Sequence, residues 1–322
     1  MNNPLVSVIM SCYNETEQDL QDSIESILNQ TYRNIEFLIV NDNPDNINLK
    51  KVLNKYSLND IRIKIINNSL NIGLSESLNR ALSESSGLYV ARMDADDISY
   101  KDRLLKQVTY LETHPDCDLV ASNRDDIDEN SNIIKKSSSI IVPDNIIPVI
   151  FKYGSIITHP SIMVKSSIIK KLKGYRAFKS AQDYDLWLRM VSLNCKFHII
   201  PEPLIKYRIR QNGITNSNFA KSYFEFKYIR KLFFQRKKYS NKDSYSETAF
   251  NLMTLHNQKK HLIINNQFLL LNQLKKNIYN PIILTKIIYG IITHFDCLNN
   301  IKNLLLTKIL IILTKIKNSS KI

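Results

Sequence analysis

The sequence predicts an α/β fold, a mostly parallel sheet with helices on both faces, followed by an α-helical extension. Apolar runs of strand length alternate with segments whose apolar residues recur at helical spacing. Each early strand is followed by a crossover of helix length, which parallel neighbours require. The extension is set apart by charge. The net charge of +14 lies entirely in residues 216–322, where 18 Lys and Arg face 4 Asp and Glu, while residues 1–215 balance. That asymmetry predicts a body over 1–215 and a basic, helical extension over 216–322, with an anionic partner for the extension alone.

The body reads in order. Leu5 to Cys12 is an apolar run of strand length, and Gln18 to Leu28 places Leu20, Ile24, Ile27 and Leu28 at helical spacing. A second strand spans Ile35 to Asn41, with a helical pattern from Ile47 to Tyr56. Ile61 to Ile66 is a third strand, and Leu74, Leu78, Ala81 and Leu82 line one face of the next helix. Leu88 to Met93 is a fourth strand; a helix from Lys101 to Glu112 and a fifth strand from Asp118 to Asn123 follow. In such sheets ligands bind beyond the carboxyl ends of the strands. The ends at Ser11 to Glu15, Asn41 to Asp45 and Asp94 to Asp97 therefore converge on one cleft.

The residues narrow the ligand. With six glycines in 322 residues, there is no dinucleotide fingerprint after strand one and no phosphate-cradling glycine loop. Asp94, Asp96 and Asp97 instead crowd the end of strand four, and closely spaced carboxylates suit a hard divalent cation, magnesium or manganese, that bridges diphosphate oxygens. A solvated turn with a helix cap is the plainer reading of that triplet taken alone. The four cysteines lie far apart, without metal or disulfide spacing, and no basic-then-apolar leader opens the chain, so a cytoplasmic location is expected.

From Leu5 to about Thr215 the motifs and their order resemble the family 2 glycosyltransferases of the GT-A fold, whose sheet is Rossmann-like. The matching pieces are VSVIMSCYNE, LIVNDNPD, NIGLSESLNRAL, ARMDADD, THPSIMVKSSIIKKLKGYR, AQDYDLWLRM and YRIRQNGIT. The resemblance implies that Ser11, Tyr13, Asn14, Glu15, Asp42, Asn71, Gly73, Asn79, Arg92 and Asp94 hold the donor nucleotide, that Asp96 holds the metal and that Asp183 is the catalytic base. His159, Gln182, Asp185, Trp187, Arg208 and Arg210 become candidate acceptor or phosphate contacts. The sequence departs from its relatives at Arg210, commonly His there; arginine cannot coordinate a cation, so no metal ligand carries over to that position. It departs again at Asn41 and the Pro44 loop, in place of Asp-Asp-Gly-Ser, with uridine or thymidine still the expected base.

The chemistry agrees with those roles. Sugar transfer needs a stabilised leaving group and a carboxylate that takes the proton of the attacking hydroxyl. Asp183 opens an amphipathic helix carrying Leu186, Leu188, Met190 and Val191, where the helix N-terminus favours an ionised acid; simple N-capping is the alternative, and Asp185 is the second candidate base. One base with direct displacement gives inversion. His159 and Trp187 also fit a structural turn and a core position, and Arg208 with Arg210 a solvated strand edge.

The extension matches none of these motifs. Pro281 to Ile316 alternates isoleucine-rich runs with single lysines, and no run reaches the roughly 18 uncharged apolar residues of a spanning helix. Lys308 and Lys315 share one helical face, the profile of an interfacial helix on anionic lipid, with a helical bundle packed on the body as the alternative. The sequence thus predicts a metal-assisted, inverting glycosyltransferase on the inner face of the membrane. It would act on a nucleotide-diphosphate sugar and a glycan or lipid-linked acceptor, with no specific nucleic-acid partner. A nucleotidyltransferase would need a glycine-rich basic loop after strand one, which SCYNETE is not; a non-catalytic adaptor would not need Asp94, Asp96 and Asp183 together.

Overall fold

A computed structural model describes residues 3–137, 141–210 and 219–256. The first half alternates β1 (Val6–Cys12), α1 (Glu17–Leu28), β2 (Ile35–Asn41), α2 (Ile47–Asn59), β3 (Ile63–Asn67), α3 (Leu74–Glu84) and β4 (Tyr89–Arg92). Then come β5 (Ile98–Ser99), α4 (Arg103–Thr113), β6 (Leu119–Ile127), β7 (Ile133–Lys135), α5 (Ile147–Phe151), β8 (Met163–Lys165), α6 (Ser166–Lys171), α7 (Gln182–Ser192) and β9 (Phe197–Arg208). Two further helices, α8 (Phe219–Lys238) and α9 (Glu247–His256), belong to the extension.

The described strands form one sheet in the order β3-β2-β1-β4-β8-β6-β9-β5, with β7 hydrogen-bonded to β6. The four strands from β3 to β4 are parallel, as their helical crossovers require. Beyond them the sheet is mixed: β8 runs antiparallel to both β4 and β6, and β9 runs parallel to β6. Register brings Cys12 opposite Asn41 and Ile9 opposite Arg92, so the carboxyl ends of β1, β2 and β4 share one edge. The fifth strand runs on to Ile127, four residues beyond the apolar stretch, because the long β9 supplies backbone partners for Arg124, Asp125 and Asp126.

Alternation along the strands fills two cores. On one face Ile9, Leu38 and Val40 meet Leu78 and Leu82 of α3 and Leu186, Trp187 and Met190 of α7. On the other, Val8, Met10, Phe37 and Ile39 meet Leu20, Ile24 and Ile27 of α1, Leu53 of α2 and Leu104 of α4. Cys12, Cys117 and Cys195 are buried free thiols.

The compositional break near Asn216 is not a break in packing. Tyr228, Ile229, Leu232 and Phe233 of α8 are buried in the same core as α3 and α7. Glu225, fully buried, accepts hydrogen bonds from the backbone amides of Lys179 (3.0 Å) and Ser180 (2.8 Å) and from the Ser180 hydroxyl (2.8 Å). Its carboxylate clasps the loop that leads into α7. Asp243, before α9, pairs with Arg176 at 2.9 Å and with Arg236. The lysine-punctuated run from Pro281 to Ile316 lies outside the described residues. Among the described residues no helix is long and apolar enough to cross a membrane.

Leu232 separates a tail that merely tethers from one that completes the core. Its side chain is fully buried, so Leu232→Ala should cost about 3 kcal/mol and lower the melting temperature of the whole body in a single transition. An unchanged melting curve would mean that α8 contributes nothing to the body's stability.

Candidate active site

The acid loop after β4 is built on two buried arginines. Arg92, 2% exposed, ion-pairs with Asp94. Arg103, fully buried, donates to the Arg92 carbonyl at 2.7 Å and to the Ser99 hydroxyl at 2.9 Å, bracketing the loop from below. Burial, helped by the neighbouring Arg92 charge, pushes Arg103 down to about 9. Ser23 of α1 donates to the Asp94 carbonyl at 2.8 Å, and Asp97, 1% exposed, accepts the Arg208 amide at 2.8 Å. Burial, with repulsion from Asp94 and Asp96, raises Asp97 well above the usual carboxylate range.

Arg208 ends β9 beneath this loop. Its guanidinium donates to the carbonyls of Asp96 (2.8 Å), Asp128 (2.9 Å) and Glu129 (3.0 Å) and pairs with Asp19 at 3.2 Å. It is a buried organiser, which corrects the expected solvated edge or phosphate contact. Arg210 does reach the site surface: Nε donates to Asp96 Oδ2 at 2.9 Å and Nη2 to Asp19 Oδ2 at 2.8 Å.

The other strand ends close the cleft. Tyr13 is 46% exposed, and its backbone N–H donates to Glu15 at 2.7 Å. Burial raises the Glu15 carboxyl, its backbone hydrogen bonds oppose that, and the nearby charges of Asp96 and Asp94 push it further. Asn43 donates to the Tyr13 carbonyl at 2.9 Å, tying the strand-two loop alongside. Asp42 is buried; its oxygens accept from Asn68 (2.7 Å) and from the amides of Ile72 (2.8 Å) and Gly73 (2.9 Å), so it shapes the pocket floor. Gly73 takes φ +84 there, a conformation side chains resist. Ser11 is half-buried, and Asn14 and Asn71 are exposed.

Asp183 enters from the opposite side, in the first turn of α7. It accepts the Tyr184 amide at 2.7 Å. Burial raises its carboxyl to about 6, opposed by the Tyr184 N–H and the Arg92 charge and reinforced by Asp94, so it lies within electrostatic reach of the Arg92–Asp94 pair. Gln182 beside it is buried, its Oε1 without a hydrogen-bond partner.

Four expected contacts are packing residues instead. Asp185 is fully buried against Arg189 (2.7 Å) and Arg176 (3.5 Å), which removes it as a candidate base. Trp187 is fully buried in the core beside Phe151. His159 bonds the Tyr175 hydroxyl at 2.9 Å, and burial holds it well below its usual range, hence neutral. Asn79 exchanges two hydrogen bonds with the Tyr175 backbone, clamping α3 to the Gly174 turn rather than reaching the donor.

Sequence reasoning passed over Asp19, Arg103 and Glu225. Asp19 sits three residues after the helix-capping Thr16, so its helix-start role was visible, while its pairing with arginines at the end of β9 was not. Arg103 and Glu225 read as exposed helix charges until their partners are placed.

A parallel half-sheet with an acid loop at its fourth strand and a carboxylate facing it defines a glycosyltransferase of the GT-A type. Residues 7–173 match glycosyl transferase family 2, and the chain belongs to that family. It is 43% identical over 225 residues to an uncharacterized glycosyltransferase of Methanocaldococcus jannaschii, covering 69% of this chain and 78% of that one. It is 35% identical over 225 residues to an O-antigen biosynthesis glycosyltransferase of Escherichia coli, covering 69% and 85%. In fold it is similar to S. aureus TarS 1–349 in complex with UDP-GlcNAc, with a TM-score of 0.58 and 17% identity over 76% of this chain and 69% of that one.

Removing the Arg208 guanidinium leaves Asp19 with Arg210 as its arginine partner and strips the carbonyls of Asp96, Asp128 and Glu129 of a charged donor. Arg208→Ala should therefore lose about 3–5 kcal/mol of stability, measured by urea denaturation, more than any surface arginine. A loss under about 0.5 kcal/mol, the surface norm, would contradict this bracing.

Proposed function

We propose that the protein is an inverting glycosyltransferase. It moves a sugar from a uridine or thymidine diphosphate donor to a hydroxyl of a glycan or lipid-linked glycan. The observation that carries this reading is Asp183, a half-buried carboxylate raised to about 6 and set against the Arg92–Asp94 pair. A general base works best when its pKa lies near the working pH. Asp185 of the same helical turn is locked in ion pairs, which leaves Asp183 as the candidate base of that turn. A single base with direct displacement inverts the anomeric centre, whereas covalent retention uses two carboxylates in succession.

On the donor side, the exposed Tyr13 ring offers a flat face for a base. The buried Arg92 Nε, without a hydrogen-bond partner, is a donor suited to phosphate or ribose oxygens. The UDP-GlcNAc complex of the S. aureus neighbour supports the donor class, and the E. coli relative supports a role in polysaccharide assembly. Family members commonly use a metal. Among the described residues no three His, Cys, Asp or Glu side chains gather into an all-protein cation cage. Asp96 and Asp94 nevertheless supply the oxygen donors a hard ion takes, with diphosphate and water completing its shell. A bound magnesium or manganese ion would neutralise charge on the departing diphosphate. The basic, isoleucine-rich residues 257–322 support peripheral association with anionic lipid on the cytoplasmic face.

Nucleoside diphosphate release from UDP- and dTDP-sugars, measured with and without glycan acceptors, tests the reading. Asp183→Asn should keep nucleotide affinity yet lose transfer by about 1,000-fold, because an amide cannot take the proton. Wild-type rates in that variant would remove the base assignment.

The pH profile follows from the same carboxylate. Asp183 is protonated and idle below about 6, so transfer should fall about tenfold per pH unit beneath that point and level off above it. A profile flat down to pH 4 would contradict it.

Asp96→Ala should remove the cation-dependent part of UDP affinity, read by calorimetry with and without manganese.

A further inference from the structure

Asp96, the expected seat of the divalent ion, already carries a cation of the protein's own. Arg210 bridges Asp96 and Asp19 with bonds of 2.9 and 2.8 Å while 32% of its side chain stays exposed. Around it, Arg92 pairs with Asp94 and Arg208 with Asp19. Three guanidinium groups thus meet three carboxylates, while Asp97 and Glu15 beside them are shifted toward their neutral forms. Arg208 is committed to backbone carbonyls and only 1% exposed, so bracing the loop falls to it. Arg210 touches carboxylates at the open edge and presents a planar fork, the geometry that pairs with phosphate oxygens.

We propose that Arg210 binds the donor's diphosphate, sharing itself between Asp96 and the phosphate oxygens, so that the divalent ion strengthens donor binding without being obligatory for it. This rests on the reading that a nucleotide-diphosphate sugar occupies the cleft. An arginine cannot ligate a metal, but it supplies a fixed positive charge where a metal-ligating residue would have to recruit one. The sequence departure at this position then has a purpose: it moves part of the neutralising charge from the ion to the chain.

Calorimetry of the full chain with UDP, in manganese and in chelator, tests this. The wild type should bind UDP in chelator with affinity within about tenfold of that in manganese. Arg210→Ala should lose more than about tenfold in chelator, Arg210→Lys should lose less, and Arg210→His should regain its affinity when manganese is added. Thermal melting of each variant checks that the fold survives; the lysine variant keeps the charge if the alanine variant unfolds. UDP binding by the wild type only in manganese, or undiminished chelator binding by Arg210→Ala, overturns the proposal and leaves the transferase reading intact. Failure of the wild type to bind UDP under either condition overturns both.

Discussion

The site depends on compensating carboxylates that the fold forces together. Three parallel strands end at one edge, and the turn after β4 must carry Asp94, Asp96 and Asp97 into a region that α1 and β9 partly cover. A buried ion left alone costs several kcal/mol, so each acid is paired, hydrogen-bonded or shifted toward its neutral form. Arg208 is the centre of that compensation. Because β9 runs parallel to β6 with Arg208 opposite Ile127, its backbone serves Asp97 while its guanidinium serves Asp19, the Asp96 carbonyl and the Asp128–Glu129 turn.

The parallel half of the fold was legible because its signals are local. Apolar alternation in Val6–Cys12 and Ile35–Asn41 and the helical spacing of Leu20, Ile24 and Ile27 each need only a dozen residues to be seen. The mixed half was harder. The polar stretch Arg124–Asp126 is a strand because β9 is there to pair with it, and β8 is three residues long, too short for a period. At the site, Asp94, Asp96 and Asp183 stood out as acids at strand and helix ends, where their neighbours in sequence announce the geometry. Asn79, Asp185 and His159 carried the same residue chemistry but were absorbed into the scaffold by partners 16 to 96 positions away or by an arginine one helical turn on. Residue type names a capability; only the partner decides whether it faces a ligand.

The extension and the body are less separable than their charge suggests. Composition divides them sharply, yet hydrophobic burial takes no account of net charge, and the apolar side of α8 finds the same core as Trp187 and Phe151. Arg236 is buried with Asp243, while Lys227, Lys231, Lys237 and Lys238 are exposed, so a single segment completes a core while contributing to the surface charge.

The clasp of Glu225 on Lys179 and Ser180 has a consequence in time. During synthesis the parallel half-sheet emerges first, and its acid loop gains Arg208 and Arg210 only once β9 has followed. The loop that sets Asp183 waits for a carboxylate 45 residues further on, and α8 cannot dock until that stretch has left the ribosome. The nascent chain therefore forms its parallel half-sheet before the Asp183 loop is held in place, and the two sides of the cleft mature at different times.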